Sequence, residues 1–591
     1  MDHHDLYTRR SFVTAATQTV LASTLVGRMF YLQVWNADHY STMANSNRIK
    51  LEFIPPKRGV IFDRNGKALV ESHKNFQALM IPEQVSSIKQ VQQVLEPILN
   101  VSMESLPKSV RRHPKFLPLT LQENLSWQQV TQIEVQVPDL PGVYIDEGAR
   151  RHYPYADTLV HVIGYVQTPS KQDTAKDKML NLPGMKVGKT GIERTFDNAL
   201  RGTVGFKEIE VNAKRRTVRE LKSTPSKTGD NLHLTIDIEL QQRVQEILAD
   251  KKSASAVVLE VPSGNVLALN SIPSYDPNLF LTGISSDNWK ALLNNPYNPL
   301  LNKALAGTYA PGSVFKIVVA LAGLEHRMIS PSEKVFCEGH TDLGNHRFHC
   351  WSRYGHGSVD LQRALYKSCD IYFYNLAKKL GIKRIADMAT RLGLGSKTGI
   401  KIPNEHAGLV PTKDWKKQRF GRSWVMGDTF NAGIGQGYLL ATPLQMALLM
   451  GRIASGQDLK PGILQSESAT EWQPLNVKAA DLKMIRKFLA DAVNHPDGTG
   501  YKNRIHDPGF LMAGKSSTTQ VRRITMQERE QGLHRQERPW KYRDHGMFTA
   551  FAPFDNPQYA VSVVVEHGGW GSKAAAPLAR DILIAARDLG V

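Results

Sequence analysis

The stretch GTYAPGSVFKIVVALAGLE, residues 307–325, carries the strongest structural and chemical signal in the chain. Pro311 and Gly312 predict a turn, and the apolar run behind them predicts a buried helix. Ser313 and Lys316 are three residues apart, so they share one face of that helix. A serine hydroxyl becomes a nucleophile when a base takes its proton, and a lysine in an apolar setting is able to act as that base. The pair therefore predicts a nucleophilic serine at a helix N-terminus, where developing negative charge is favoured.

Two later segments extend this S-x-x-K pattern to a set of three. The motifs S-x-x-K, S-D-N and K-T-G occur together in penicillin-interacting serine enzymes. Ser368-Cys369-Asp370 opens a helix-like run and is the better second element. Lys515-Ser516-Ser517-Thr518 reads as a strand and is the better third element. An edge strand there is able to pair with a substrate backbone while the lysine attracts its carboxylate.

Literal copies of the motifs stand elsewhere and do not fit this order. S-x-x-K recurs at Ser86–Lys89 and Ser105–Lys108, but neither follows Pro-Gly or opens an apolar helix. SDN at Ser286–Asn288 precedes Ser313, and we predict a loop there. The literal KTG copies lie at 189–191, 227–229 and 397–399. The first two also precede Ser313, and we predict that the third lies in a turn.

The region from Leu232 to the C-terminus predicts an α+β domain with an antiparallel sheet flanked by helices. Strands or hairpins are predicted at 232–237, 253–271 and 545–569, and helices at 238–252 and 573–590. Residues 34–231 instead show short β-like runs broken by proline and glycine, notably at 55–70, 142–155 and 205–222, and a linker-like segment at 221–231. We therefore expect an elongated, β-rich, non-catalytic pedestal or dimerisation domain over 34–231 and the catalytic domain over 232–591.

The N-terminus predicts a membrane anchor. Ser11 to Gly27 carries no charge, and Arg9 and Arg10 precede it, which predicts an N-terminus inside the cytoplasm. We expect a cytoplasmic tail over 1–10 and an uncleaved transmembrane signal-anchor over 11–33, close to the roughly 20 apolar residues that a spanning helix needs. A cleaved signal peptide and an amphipathic helix of a soluble protein are the alternatives.

The composition and net charge limit the class of protein. The chain has 591 residues with 41% hydrophobic and 22% charged residues, which excludes a disordered or collagen-like protein and implies several domains. The net charge of +19 predicts an anionic partner, either nucleic acid, anionic lipid or an acidic polymer.

The three motifs, with the neighbouring GIGQGYLLATPLQMA, TAFAP and VEHGG, resemble the transpeptidase domain of penicillin-binding proteins. NRIKLEFIPPKRGVIFDRNG, RRHYPYADTLVHVIGYV and GIERTFDNALRGTVG are similar to the non-catalytic module of the monofunctional class B members. SIPSYDPNLFLTGISS and RFGRSWVMGDTFNAGIGQGY resemble the elongation-type subgroup. The resemblance runs from about residue 28 to the C-terminus, and no segment resembles a glycosyltransferase domain.

The resemblance implies a serine-type D-Ala-D-Ala transpeptidase that cross-links peptidoglycan stem peptides during cell elongation and is inhibited by β-lactams. Ser313 would be acylated, Lys316 would take its proton, and Ser368 would relay protons to the leaving group. Lys515, Ser516 and Thr518 would hold the substrate carboxylate, and the backbone N–H groups of Ser313 and Thr518 would form the oxyanion hole. Asp370 would belong to the catalytic set, and Ser517 to the substrate-binding strand. A septal transpeptidase and a catalytically weakened β-lactam-binding scaffold are the alternative functions.

The same resemblance implies a location and partners. The protein would be a single-pass protein of the bacterial inner membrane with its catalytic domain in the periplasm. A polytopic glycosyltransferase and scaffold proteins of the elongation machinery would be its partners. The positive charge would then suit an anionic membrane and wall polymer, and no nucleic acid is expected.

Two positions depart from the family pattern. Asp370 replaces the common asparagine of the second motif, although some members of the subgroup share it. Ser517 replaces the usual glycine of the third motif. Because glycine lets a ligand approach a backbone closely, a side chain at 517 is expected to narrow the groove or alter β-lactam affinity.

The only three cysteines, Cys337, Cys350 and Cys369, cluster around His356. Thiolate and imidazole are zinc ligands, although this spacing fits no zinc-finger pattern. A Cys337–Cys350 disulfide, a core role for Cys369 and the competing histidines His340, His346 and His349 remain open on the residues alone. Some members of the resembling subgroup carry a zinc ion near the second motif, and the resemblance implies a structural zinc on Cys337, Cys350, His356 and Cys369.

Overall fold

The structure, a computed structural model, describes residues 9–36, 49–113, 115, 118–182, 184–211, 217–281, 283–468, 471–522 and 539–591. Its strands in chain order are β1 (Ile49–Ile54), β2 (Ile61–Phe62), β3 (Ala68–Met80), β4 (Leu119–Gln122), β5 (Val143–His152), β6 (Val166–Gln167), β7 (Val187–Gly188), β8 (Gly205–Val211), β9 (Thr217–Thr224), β10 (Leu232–His233), β11 (Ala254–Glu260), β12 (Val266–Ile272), β13 (Val335–Cys337), β14 (His340–Leu343), β15 (His346–His349), β16 (Gly357–Val359), β17 (Ala513–Thr519), β18 (His545–Ala552) and β19 (Tyr559–Val565).

Its α-helices in chain order are α1 (Arg9–Phe30), α2 (Ile88–Leu99), α3 (Leu106–Arg112), α4 (Trp127–Gln136), α5 (Val160–Ile163), α6 (Lys171–Lys176), α7 (Gly191–Thr195), α8 (Asp197–Arg201), α9 (Ile238–Leu248), α10 (Ser286–Asn294), α11 (Lys316–Glu325), α12 (Leu361–Tyr366), α13 (Asp370–Arg391), α14 (Lys413–Phe420), α15 (Met426–Gly433), α16 (Pro443–Ser455), α17 (Ala479–Asn494), α18 (Gly571–Ala574) and α19 (Ala576–Leu589).

The chain divides into two compact units, residues 1–57 with 202–229 and residues 58–201 with 230–591. The first unit holds α1 and the antiparallel sheet β1-β8-β9. The predicted linker at 221–231 is wrong in its first four residues, because strand β9 continues to Thr224, which pairs with Phe206. In the described part of the chain no helix is both long and apolar enough to cross a membrane, and the transmembrane signal-anchor predicted over 11–33 is not confirmed.

The second unit contains the predicted hairpin at 55–70. Strands β2 and β3 are joined by a turn at Asn65-Gly66, where Gly66 has a φ of +82° that favours glycine. These strands belong to a sheet of order β10-β2-β3-β4, in which β5 pairs with β3. The buried carboxylate of Glu193 in α7 accepts hydrogen bonds from Arg58 and Arg151. These paired charges connect α7 to strand β5 and to the segment before β2.

A five-stranded antiparallel sheet of order β12-β11-β19-β18-β17 forms the centre of the second unit and confirms the hairpins predicted at 253–271 and 545–569. Alternate residues of each strand face opposite layers, as the two-residue period of a strand requires. Val257 and Leu259 pack with the buried helices α11, α13 and α16, whereas Ala256 and Val258 pack with α9 and α19. The sheet is therefore covered by helices on both faces.

Helix α11 is buried along its entire length, from Lys316 to Leu324, as expected for a helix that is apolar on all sides. The loop predicted at Ser286–Asn288 is wrong, because these residues open α10. The hydroxyl of Ser285 accepts a hydrogen bond from the N–H of Asn288, which caps this helix. The strand predicted over 232–237 is shorter than expected, since the ladder with β2 includes only Leu232 and His233.

Candidate active site

The segment that precedes α11 presents Ser313 at the surface of a buried core. A 3₁₀ turn from Gly312 to Phe315 leads into α11, and Ser313 is half-buried while its neighbours on both sides are buried. Gly312 has a φ of +52°, and its N–H donates to the carbonyl of Gly435 at 2.8 Å. The Pro-Gly turn thus places the serine at the start of the helix as predicted.

The ammonium group of Lys316 is fully buried and uses its three N–H donors on the second motif. It donates to the Ser368 carbonyl at 2.8 Å, to the Ser368 hydroxyl at 3.2 Å and to Asp370 Oδ1 at 2.7 Å. This differs from the expected apolar setting, because a carboxylate pairs with the ammonium. Ser368 adopts a φ of +57°, an uncommon conformation that turns both its carbonyl and its hydroxyl toward the lysine.

Asp370 joins the lysine to the cysteine-containing loop. Its second oxygen, Oδ2, accepts a hydrogen bond from the backbone N–H of Trp351 at 2.8 Å. Burial raises the pKa of the Asp370 carboxyl, and the Lys316 charge opposes this effect. The indole N–H of Trp351 also donates to the carbonyl of Lys367 at 3.1 Å, which holds the loop against the start of α13.

The third motif lies on β17, which is an edge strand of the central sheet as predicted. Lys515, Ser517 and Thr519 share one face of this strand. The Ser517 hydroxyl accepts a hydrogen bond from the N–H of Ser313 at 3.0 Å, and the Thr519 hydroxyl donates to the Ala310 carbonyl at 2.6 Å. This face therefore packs directly on the nucleophile segment.

Lys515 is fully buried on the same face. Burial lowers the pKa of its ammonium group well below the usual range, and the positive charge of Lys316 adds to this effect. Its ammonium group donates to the Ser516 carbonyl at 3.2 Å. The two buried amino groups, of Lys515 and Lys316, therefore repel each other.

Several polar partners of the third motif were missed by the sequence analysis. The hydroxyl of Ser516 donates to Thr499 Oγ1 at 3.2 Å, and the hydroxyl of Thr518 accepts from the N–H of Gly571. The side chain of Gln436 donates to the carbonyl of Thr518 at 3.2 Å. Only the last had a signal in the sequence, a glutamine between two glycines in GIGQG.

The four predicted metal ligands converge. Ligand atoms of Cys337, Cys350, His356 and Cys369 lie within 4.8 Å of one another. His356 Nδ1 is 3.6 Å from the sulfur of Cys337 and 3.5 Å from that of Cys350. The other predicted candidates, His340, His346 and His349, are not part of this cluster in the described part of the chain. All three thiols are free in this structure and buried, so the structure contains no Cys337–Cys350 disulfide.

The crowding of the three sulfurs has an electrostatic consequence. The Cys350 and Cys369 thiols hydrogen-bond to the Cys337 sulfur and lower the pKa of Cys337 to about 3. The same contacts raise the pKa of the Cys369 thiol, with the Cys337 sulfur as the main cause. The contacts among the sulfurs therefore favour the thiolate on Cys337 and the neutral thiol on Cys369.

A half-buried serine, a buried lysine hydrogen-bonded to a second serine and a further lysine on an edge strand define a serine acyltransferase site of the penicillin-interacting type. The sequence model for the penicillin binding protein transpeptidase domain matches residues 254–584, and that for the penicillin-binding protein dimerisation domain matches residues 53–234. The chain belongs to the penicillin-binding protein transpeptidase family.

Relatives that match along nearly the whole chain support this family assignment. Peptidoglycan D,D-transpeptidase MrdA of Haemophilus influenzae is 37% identical, over 98% of this chain and 91% of that protein. The structure of a penicillin-binding protein (PBP2) in complex with MreC from Helicobacter pylori has a TM-score of 0.81 and 31% identity, and covers 92% of this chain and 99% of that one. A structure described as the coordination of polymerization and crosslinking by a peptidoglycan synthase complex has a TM-score of 0.70 and 27% identity, with 98% of both chains covered.

We predict that Asp370→Asn destabilises the fold. The carboxylate accepts from Lys316 on one oxygen and from Trp351 on the other, but an amide offers one acceptor and turns its NH₂ toward a donor. Removing a partner from a buried ion pair costs about 3 kcal/mol or more in free energy of unfolding, measurable by denaturant titration. The matched control is Asp387→Asn on the same helix, whose exposed pair with Lys383 should contribute less than about 0.5 kcal/mol. Equal losses in the two variants would contradict the prediction.

Proposed function

We propose that this protein is a peptidoglycan D,D-transpeptidase that cross-links stem peptides through an acyl-enzyme on Ser313 during cell elongation, and that β-lactams acylate the same serine. One observation carries the proposal. Lys316, on the helix turn that follows Ser313, hydrogen-bonds to the hydroxyl of Ser368 in a buried site. This joins a base to a proton relay, one helix turn from the serine nucleophile.

The acylation step follows from these positions. Lys316 acts in this step as the neutral amine, which carries one N–H fewer than the ammonium form. Ser313 Oγ attacks the carbonyl carbon between two terminal D-alanines, and its proton passes to the Lys316 nitrogen. Ser368 carries a proton to the nitrogen of the leaving D-alanine, which departs as the C–N bond breaks. An amine from a second strand then attacks the acyl-enzyme ester and forms the cross-link, and Ser313 recovers its proton.

The edge strand supplies the substrate contacts in this proposal. Lys515 provides positive charge for the terminal carboxylate, with Ser516 and Thr518 as hydrogen-bond donors. The carbonyl of Thr518 points away from β18, because Gln436 donates to it. Since the N–H and C=O of one strand residue point to the same side, the Thr518 N–H is directed outward as well and is available as an oxyanion donor.

Two alternative functions give different outcomes from the proposed one. A septal transpeptidase would use the same three motifs, and depletion would then give filaments rather than round cells. A weakened β-lactam-binding scaffold would retain the site but turn over slowly. The segments at 273–285 and 419–438 favour the elongation function, since they resemble that subgroup.

We also propose a zinc site. A tetrahedral zinc ion with Zn–S near 2.3 Å and Zn–N near 2.05 Å separates a sulfur from a nitrogen ligand by about 3.6 Å. The observed separations of 3.5 and 3.6 Å from His356 Nδ1 to two sulfurs fit this value. Three cysteines and one histidine would hold the ion, and its contribution would be structural, since four protein ligands leave no open position.

The zinc ion would fix the position of the second motif. Cys369 lies between Ser368 and Asp370, and Cys350 precedes Trp351, whose N–H contacts Asp370. An ion bound by Cys350 and Cys369 would therefore hold the loop at Trp351 against the second motif, next to the Lys316 amino group.

The domain boundaries and the anchor are proposed on separate grounds. The family matches at 53–234 and 254–584 support a pedestal over 34–231 and a transpeptidase domain over 232–591. We propose that α1, in which residues 11–30 are all exposed, anchors the chain in the bacterial inner membrane with the catalytic domain in the periplasm. Release of the full chain from membranes by carbonate would reject this.

The proposed partners follow from the similar structures, one of which is a complex with MreC and another a peptidoglycan synthase complex. We propose that this chain likewise binds a scaffold protein of the elongation machinery and a polytopic glycosyltransferase. Failure of both to co-purify with the full chain from detergent-solubilised membranes would reject the proposal.

We predict that Ser313→Ala abolishes covalent labelling by a fluorescent penicillin. Lys316→Ala should lower the acylation rate by about 10²- to 10⁴-fold, the range for removal of a general base. Labelling is measured by gel fluorescence over time. Ser86→Ala is the matched control, because Ser86 has the same S-x-x-K spacing outside the site, and it should label at the wild-type rate. Labelling of the Ser313 variant would contradict the function.

We predict one zinc ion per purified chain by mass spectrometry of the metal. Cys369→Ser should lose the ion and part of the thermal stability, because the uncoordinated sulfurs stay buried. A metal-free wild-type protein with a Cys337–Cys350 disulfide would reject the site.

A further inference from the structure

The hydroxyl of Ser517 is hydrogen-bonded to the backbone N–H of the nucleophile, Ser313. Ser313 N donates to Ser517 Oγ at 3.0 Å, and Ser517 is only 2% exposed. The alternation of β17 explains the placement, because it puts Ser517 on the same face as Lys515 and Thr519, toward the segment that carries Ser313. A glycine at this position would leave the N–H open.

This N–H is one of the two oxyanion donors of the proposed function, on which the inference rests. A donor acts on an oxyanion that lies 2.7–3.1 Å away. Ser517 Oγ is at 3.0 Å from the Ser313 nitrogen, so it occupies the place that the substrate oxygen needs. Two oxygen atoms do not fit there together, and Thr518 is left as the accessible donor.

The surroundings restrict how Ser517 can leave this place. A side chain on Gly312 would come within 2.2 Å of Ser517 Oγ, so the hydroxyl fills space that this glycine leaves free. A side chain on Gly571 would come within 2.0 Å of the Ser517 carbonyl, so the strand backbone is held closely on its other side. Rotation about the Cα–Cβ bond of Ser517 is therefore the available movement, rather than a shift of β17.

We propose that Ser517 gates the oxyanion hole. In the free enzyme its hydroxyl accepts the hydrogen bond of the Ser313 N–H, and it turns away before a carbonyl oxygen is bound there. Each acylation then exchanges one hydrogen bond of the protein for one to the substrate. With a β-lactam, the Ser313 Oγ–carbonyl bond forms, the lactam C–N bond breaks, and the serine proton ends on the lactam nitrogen. The exchange precedes these changes and slows acylation without weakening the initial non-covalent complex.

The test separates the limiting acylation rate from the non-covalent dissociation constant with a fluorescent penicillin and the full chain. Ser517→Ala and Ser517→Gly should each raise the rate by about three- to tenfold, the value of one net hydrogen bond, with the dissociation constant changed less than twofold. Thr519→Val is the matched control, since it removes a hydroxyl from the same strand face that bonds to Ala310 and not to the Ser313 N–H. It should not raise the rate.

An unchanged or lower rate in both Ser517 variants overturns the gate, as does an equal rise with Thr519→Val. A crystal structure of the wild-type acyl-enzyme in which Ser517 Oγ still accepts from Ser313 N also overturns it. If wild type and variants all fail to be acylated, the proposed function is rejected instead. The gate is then judged by amide hydrogen exchange at Ser313, which should be faster in Ser517→Ala than in the wild type, and equal exchange would overturn it.

Discussion

The buried ammonium of Lys316 is the constraint around which the site is arranged. A buried ammonium needs acceptors for its three N–H groups, because an unpaired buried charge is strongly destabilising. All three acceptors come from Ser368 and Asp370, more than 50 residues away along the chain. Satisfying the lysine therefore fixes the start of α13 against α11, imposes the positive φ of Ser368 and places a second hydroxyl beside the nucleophile's helix.

The third motif reaches the site because of the backbone geometry of the edge strand β17, and not because of a charge interaction. Its pairing with β18 sets which residues face the nucleophile, and a two-residue period brings Lys515 and Ser517 to that face. Lys515 then lies within electrostatic reach of both Lys316 and Asp370, and burial keeps the pKa of Lys515 low. In the proposed function, the terminal carboxylate of the stem peptide supplies the negative charge that pairs with Lys515.

Much of this architecture was readable from the residues. The apolar run after Pro311-Gly312 predicted α11, and alternating apolar strands predicted the central antiparallel sheet, since both patterns report burial directly. The four predicted cysteine and histidine ligands were chosen by resemblance, and the fold brings their side-chain atoms within 4.8 Å of one another. The loop predicted at Ser286–Asn288 was wrong because Ser285 caps a helix there. The linker predicted at 221–231 was wrong in its first four residues because β9 is held by pairing with β8.

The three motifs, the helix that follows Ser313 and the serine in place of glycine at 517 could all be read from the residues, because each depends on residue type and local period. The contacts of those residues could not be read in this way, because they are made by packing. Asp370 pairs with Lys316 and Trp351, Gln436 reaches Thr518, and Ser517 covers the N–H of Ser313, contacts that join segments up to 204 residues apart. No local pattern encodes them, since they depend on how the sheet edge and the two buried helices pack together.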